Sequence, residues 1–317
     1  MALMMPKPEE EILANRDRLI ERLRDFLPAE SVIDNETARR AYECDALTMY
    51  RQLPLVVVLP ETVEQVSKVM ALANEMNVKV VPRGAGTSLS GGSLPLGDGI
   101  LLGMGKFNRV LEVDVANRCA RVQPGVANLA ITKAVEHLGF YYAPDPSSQI
   151  ACSIGGNVGE NAGGVHCLKY GLTTNNLLGL QVVLMDGEII ELGGKHLDSE
   201  AYDLMGLMTG SEGLLGVITE VTVRILQKPQ TARGMLMGFP TLDDGANCVA
   251  DIIAAGIIPS GLEMMDNMAI IAADDFQACG YPRDAESLLI CELDGTASEV
   301  DHLIERVSEI AGRNNAT

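Results

Sequence analysis

Val81-Pro82-Arg83-Gly84-Ala85-Gly86-Thr87-Ser88-Leu89-Ser90-Gly91-Gly92 leaves an apolar run and sets four glycines and three hydroxyl side chains in the nine positions 84–92. Successive backbone N–H groups in such a loop form a nest for an anion, and glycine lets the backbone approach it closely. A pyrophosphate is the natural ligand. Two commoner phosphate motifs fail here. A dinucleotide fingerprint of the G-x-G-x-x-G type needs glycine where Leu89 stands and a helix where Ser93-Leu94-Pro95-Leu96-Gly97 follows. A G-x-x-x-x-G-K-[ST] loop is matched neither at Gly105-Lys106 nor at Gly194-Lys195.

Two more glycine-rich stretches accompany the first. Ile154-Gly155-Gly156-Asn157-Val158-Gly159-Glu160-Asn161-Ala162-Gly163-Gly164 reads as a second loop, preceded by Pro144-Asp145-Pro146-Ser147-Ser148. Gly210-Ser211-Glu212-Gly213-Leu214-Leu215-Gly216 reads as a third, leading into the strand that begins Val217-Ile218. Three such loops in one domain suggest one long ligand threaded between two subdomains, and a dinucleotide carrying a second ring system fits.

Around these loops the pattern is mixed α and β. Residues 9–27 carry Leu13, Ile20, Leu23 and Leu27 at helical spacing among charges, which predicts one amphipathic helix in an N-terminal segment, 1–49. Residues 55–59, 62–76 and 78–81 read as a β-α-β unit with Thr62 as the helix cap. Strands follow at 100–104, 109–113 and 119–122, a helix at 128–138, a hairpin about Asp186-Gly187, and a β-branched strand at 217–225. These make one α+β domain over 50–229. Beyond it, 230–317 alternates strands (234–239, near Leu262, 287–293) with helices (242–255, 267–276, 299–311), as β-α-β fragments of a second domain. The chain stops after a helix that ordinarily feeds another strand, so this domain is expected to be unfinished and residues 288–293 to form an uncovered strand edge.

Composition narrows the function. Among 317 residues, 24 basic and 43 acidic side chains leave a formal charge of 24 − 43 = −19, which repels phosphate backbones and anionic lipid. The reading is therefore no nucleic acid partner. The N-terminus lacks a basic n-region and an apolar h-region, and no run reaches the ~18 apolar residues of a membrane span. A cytoplasmic protein without a transmembrane segment is expected. Seven cysteines, at 44, 119, 152, 167, 248, 279 and 291, form no C-x-x-C pair, whereas an iron–sulfur cluster needs about four thiolates together. His137, His196 and His302 are isolated, so no metal ligands are assigned. A G-x-S-x-G nucleophile elbow is absent.

Taken together, the loops resemble the vanillyl-alcohol-oxidase-type (PCMH-type) FAD-binding family of FAD-linked oxidases. The run from Tyr142 to Ser153, the run Gly164-Val165-His166-Cys167-Leu168-Lys169-Tyr170-Gly171, and Gly261-Leu262-Glu263-Met264-Met265-Asp266-Asn267 are similar to the FAD-linked subunits of glycolate oxidases. The resemblance implies a PCMH-type FAD-binding domain of two α+β subdomains, followed by an incomplete ferredoxin-like α+β cap domain for the substrate. It also implies FAD, with Arg83, Gly84, Ala85, Gly86, Thr87, Ser88, Gly91 and Gly92 cradling the pyrophosphate. Pro144, Asp145, Ser148, Gly155, Gly156, Asn157, Asn161, Ala162, Gly163 and Gly164 would line the ribityl and isoalloxazine region, and Gly213, Gly216 and Ile218 the adenosine half. No His stands in 84–92 to link the flavin, and the spacing from Cys152 to Gly155 is shorter than in relatives with a linking Cys, so non-covalent FAD is expected. His166, Cys167, Lys169 and Tyr170 are read either as flavin-edge contacts or as ordinary packing.

The activity implied is oxidation of a small 2-hydroxy acid, glycolate to glyoxylate, with hydride passing to flavin N5 and electrons passing on to an iron–sulfur subunit, a second flavin-type subunit completing the complex. D-lactate or D-2-hydroxyglutarate dehydrogenation and a catalytically silent flavin-binding subunit stay open. The family's G-D-G-N-x-H and E-H-G-I-G segments, thought to bind metal and substrate, do not occur in 1–317, so the catalytic base is expected beyond Thr317.

Overall fold

The computed structural model describes residues 5–196 and 202–317 and divides into two units. The first comprises Met1–Ala162 with Leu172–Leu226, the second Gly163–Gly171 with Gln227–Thr317.

The first unit is built on two sheets. One runs in the order β1 (Val32–Ile33), β2 (Val56–Val58), β4 (Gly99–Gly103), β3 (Lys79–Arg83), with β2 and β3 both parallel to β4 and β1 antiparallel to β2. Val56-Val57-Val58 and Ile100-Leu101-Leu102 are wholly buried, as unbroken apolar runs in a parallel sheet covered on both faces must be. Helix α1 (Glu10–Ala14), α2 (Arg16–Arg24) and α4 (Val63–Glu75) cover one face, sending Leu19, Ile20, Leu23, Val66, Val69 and Leu72 into a common core. The short α3 (Glu36–Arg39), capped by Asn35, connects them. The second sheet is antiparallel throughout: β5 (Val110–Asp114), β6 (Cys119–Val122), β10 (Val217–Arg224), β8 (Leu177–Val183), β9 (Ile189–Gly193). Burial alternates along β10, and its inward side packs on α5 (Asn128–Val135) and α6 (Ile154–Glu160). Short strands β7 (Phe140–Tyr141) and β11 (Leu226–Gln227) lie outside both sheets.

In the second unit, β12 (Thr231–Phe239), β14 (Ser287–Gly295) and β13 (Gly261–Asp266) form an antiparallel sheet with β14 in the centre. Helices α9 (Leu242–Ala254) and α11 (Ala297–Arg313) close one face over Phe239, Cys248, Leu289, Cys291, Leu293 and Val307. Helix α10 (Asn267–Gln277) sets Ile270 against Leu288. The segment Gly163–Gly171, carrying α7 (Cys167–Tyr170), packs here too: Val165 lies over Gly261, and Lys169 and Tyr170 both bind the Asp294 carboxylate.

Three expectations change and one is refined. The helix over 9–27 is two helices, because Asn15 leaves helical geometry (φ −94°, ψ 5°) and its side chain donates to the Glu11 carbonyl, a local bond that competes with the helix ladder. The β-α-β unit forms as expected, with β2 and β3 both parallel to β4, which lies between them. Residues 288–293 are no uncovered edge: β14 is paired on both sides and Leu288, Leu289, Cys291 and Leu293 are buried. The second glycine-rich loop is largely helix, α6, entered through extended Ser153 and ended by left-handed Asn161 (φ 50°). A further helix, α8 (Leu204–Met208), with Asp203 accepting from the Gly206 N–H, had no expected counterpart.

Ile100 pairs with Val56 on one side and Val80 on the other. Ile100→Ala is expected to cost about 2–5 kcal/mol in urea unfolding, the price of a cavity in a packed core. Asp98 is buried, which opposes its charge, but the Lys79 ammonium at 2.8 Å and the Glu9 N–H at 3.1 Å outweigh burial and hold its carboxyl below the usual range. Its stabilisation is thus complete above the unfolded-state value of about 3.9 and fades as pH falls through the lower folded value. Asp98→Asn is expected to shallow the acid limb of a stability–pH profile while lowering stability at neutral pH.

Candidate cofactor site

Strand β3 ends at Arg83, and the chain turns at once into the first glycine loop. A Cβ on Gly84 would stand 2.1 Å from Ser153 Oγ and 3.6 Å from the Gly156 nitrogen, so only glycine lets the loop lie on the start of α6. The other end of the loop meets the other end of that helix. A Cβ on Gly92 would lie 2.9 Å from Glu160 Oε1 and 3.0 Å from Glu212 Oε2. The third loop completes the arrangement: the Gly210 and Glu212 N–H groups donate to the Val158 and Gly159 carbonyls, and Gly213 (φ +77°) rests on Pro82. All three expected glycine-rich segments therefore meet around α6.

Arg83 folds its guanidinium over Gly86 and donates from Nη1 to the Tyr42 carbonyl, while the Gly86 carbonyl accepts from the Ala46 N–H. Burial pushes the Arg83 pKa down, with Asp45 acting in the opposite sense. Farther along, the Ser90 N–H donates to Ser88 Oγ, and Gly91 (φ +85°) packs between Leu47 and Leu94. Ala85 is exposed and Thr87 half-buried.

Two polar atoms at the Gly84 end have no partner in the structure. Ser153 Oγ and Asn157 Nδ2 are buried without a hydrogen bond. An unsatisfied buried group costs roughly 1–3 kcal/mol, and these two lie at the start of α6, Ser153 as the extended residue before it and Asn157 within its first turns. A bound molecule with oxygen acceptors would relieve both. The Gly92 end has the opposite character, because the Glu160 and Glu212 carboxylates repel an anion there. Phosphate thus fits the Gly84 end, and the residues present suit a dinucleotide lying along the loop.

Not every expected residue joins this arrangement. Gly155 makes room for Pro124, to whose carbonyl its own N–H donates at 2.8 Å, and Gly216 makes room for Val182 of β8. Ile218 is an interior strand residue paired with Val182. The Ser148 carbonyl accepts from the Ala151 and Cys152 N–H groups, and the Pro144 carbonyl from Asn128 Nδ2, which leaves half-buried Asp145 between two prolines. Asn161 accepts from the Thr174 N–H, and the Ala162 carbonyl from Thr173 Oγ1. Gly163 and Gly164 belong to the second unit, where the Gly164 N–H donates to Cys167 Sγ. In that unit Lys169 and Tyr170 are engaged by Asp294, and His166 Nε2 lies 3.4 Å from Glu292 Oε1, so packing accounts for Lys169 and Tyr170. Ser153 and Asn128 escaped the sequence reading. A Ser before an apolar residue signals a helix start, but only a helix expected at 154 would have drawn attention to it.

Residues 54–193 match the family model described as "FAD binding domain", and residues 228–317 that of "FAD linked oxidases, C-terminal domain". The glycolate oxidase subunit GlcD of Escherichia coli (strain K12) is 54% identical over 303 residues, covering 96% of this chain and 61% of that protein. A D-lactate dehydrogenase of Anaerostipes hadrus is 32% identical, covering 92% of this chain and 63% of its own length. A solved structure of alkyldihydroxyacetonephosphate synthase shares the fold at a TM-score of 0.81 and 22% identity, over 99% of this chain and 61% of that one. A dinucleotide-binding α+β domain followed by a smaller α+β domain is the architecture of FAD-linked oxidoreductases. The chain belongs to the PCMH-type FAD-binding family of FAD-linked oxidases, with FAD as its cofactor. It spans about three fifths of the length of the relatives it matches, 61% of GlcD.

Gly84→Ala forces Cβ against Ser153 Oγ and is expected to lower stability by about 1–3 kcal/mol, the scale of overpacking. Adding Ser153→Ala leaves the nearest Ser153 atom at 3.4 Å, so the unfolding midpoint should recover in the double variant. A midpoint that stays low would show that the two residues do not meet as described.

Proposed function

We propose that this protein is the flavin-bearing component of a cytoplasmic 2-hydroxy-acid oxidising enzyme, one that turns glycolate into glyoxylate and hands the electrons to a partner. The observation that carries the reading is the meeting of three glycine segments around α6, with two unsatisfied buried donors where a phosphate would lie. When bound, FAD accepts the hydride from the substrate α-carbon. The chain's part is to hold it: the N–H groups of Gly84 to Ser88 and the Ser153 hydroxyl take the pyrophosphate, and Asn157 donates to the polar atoms beside it. Pro144 and Asp145 border the ring end, and the third loop, at Gly213, the adenosine end.

Two features support glycolate over other substrates and an assembly over a free enzyme. The E. coli relative is named a glycolate oxidase subunit and is more similar to this chain than the D-lactate dehydrogenase is, 54% against 32% identity. The partners that suit a reduced flavin are an iron–sulfur subunit, which accepts single electrons, and a second flavin-type subunit. No helix among the described residues is long and apolar enough to cross a membrane. The identity to D-lactate dehydrogenase, spread over 92% of the chain, favours D-lactate as the second reading.

The purified chain is expected to show the visible bands of oxidised flavin, released by heat as FAD. A well-folded, colourless protein that fails to take up added FAD would refute the flavin assignment. For the substrate, a chain extended to the relatives' length should reduce a dye fastest with glycolate. Faster turnover of D-lactate would move the assignment to the second reading.

A further inference from the structure

Asn128 is the first residue of α5, where the N–H groups of the opening turn have no partner inside the helix. Two of them serve one loop: the Asn128 N–H donates to the Cys152 carbonyl (3.1 Å) and the Leu129 N–H to the Gln149 carbonyl (3.0 Å). The side chain adds a third bond, Nδ2 donating to the Pro144 carbonyl at 3.0 Å in a buried setting. Just upstream, the Val126 carbonyl accepts from the Ile154 N–H at 2.9 Å, and Ala127 forms a β-bridge with Ser153. Residues 126–129 are thus a rail that grips the loop 144–154 at both ends.

The residue type fits this task. Asn is a weak helix former, it is 2% exposed, and an amide without a bond is costly to bury. The Pro144 carbonyl belongs to the rigid peptide plane that carries the Asp145 N–H and Cα, so holding it restrains where the backbone enters Asp145. The same rail places Ser153, whose hydroxyl lacks a partner.

We infer that Asn128 is a positioning residue of the flavin site, holding the Pro144-Asp145 peptide and the Ser153 hydroxyl in register for the cofactor; the inference rests on the flavin reading above. It touches neither substrate nor reacting atoms in this account, and it acts through the loop.

Two variants test it in the full chain, with FAD as the probe. Asn128→Ala removes the donor and is expected to weaken FAD binding by about tenfold or more, the scale of a lost buried hydrogen bond. Asn128→Asp keeps the shape, but an ionised carboxylate only accepts and so faces the Pro144 carbonyl without a proton to give. Burial raises that carboxyl's pKa, and on protonation it becomes a donor again. Its FAD affinity relative to wild type should therefore be low at neutral pH and recover as pH falls, while the Ala variant stays weak. Taking the ratio to wild type at each pH removes the pH dependence that the variants share with wild type, that of the cofactor included. Hydrogen exchange across 144–157 in the cofactor-free chain, taken relative to wild type at each pH, should be faster in both variants and return to the wild-type rate at low pH only in the Asp variant. Equal FAD affinity in all three proteins, or a loss with no recovery and unchanged exchange, overturns the positioning role. A folded wild type that takes up no FAD overturns the flavin reading instead, and the exchange data then judge the rail by itself.

Discussion

The approach of Gly84 to Ser153 is the contact on which the first unit's arrangement turns. Strand β3 is held at the sheet edge by its parallel pairing to β4, and the Met104 N–H closes onto the Arg83 carbonyl at 2.8 Å. The chain leaving that strand has to pass within van der Waals distance of α6, and any side chain at 84 would occupy the place of Ser153 Oγ. Because the loop lies this close, its far end reaches Glu160 at the other end of the helix, and the third loop can close over the Val158 and Gly159 carbonyls. One missing methyl group thus lets three distant sequence segments share one surface.

Helix α6 is an unusual element to carry this load. Glycine costs about 1 kcal/mol per residue in a helix interior relative to alanine, and α6 has three in seven positions. Tertiary contacts compensate. Ile154 and Val158 are fully buried in the second core with Val221, Ile131 and Tyr142, and the third loop satisfies the helix's last carbonyls. Of its glycines, Gly155 lets the helix lie on Pro124, Gly156 has only Ser153 Oγ near it, and Gly159 faces open space, so backbone stays uncovered beside Ser153. A stronger helix-forming sequence would have raised local stability and covered the surface that makes the element useful.

What the sequence disclosed follows from which interactions are local. The Thr62 cap and the β-branched strand expected at 217–225 carry their own signals, and the structure shows that cap and a strand at Val217–Arg224. The three glycine segments were legible as a set because glycine density itself marks close backbone approach. Helix α6 was not, since its composition argues against helix and only packing makes it one. The placement of β4 between β2 and β3 depends on pairing across the sheet, which no local pattern encodes. The same holds for Gly163–Gly171, whose tie to the second unit is made by Asp294 and Glu292, more than a hundred residues away. Asn128 is the site-level counterpart: at the start of a helix it resembles any capping residue, and its bond to Pro144 emerges only once the loop is folded back.

The charge of the chain bears on how the proposed flavin site would hold an anion. With a net charge of −19, the protein offers no general attraction for phosphate, and the two carboxylates beside Gly92 repel it locally. Arg83, the one cation of the first loop, is turned inward onto Tyr42 and Gly86. What remains at the Gly84 end is a set of neutral donors: loop N–H groups, a serine hydroxyl and an asparagine amide. Such dipoles bind an anion only when they are fixed in direction before it arrives, because each is weak by itself and gains little from reorienting. The proposed site meets that requirement through its surroundings: two prolines about Asp145, a rail of backbone bonds along 126–129, and a loop wedged against α6 at a glycine. Fixed neutral donors also discriminate by geometry, so that a small free anion satisfies one or two of them while a dinucleotide running the length of the loop can meet the whole set.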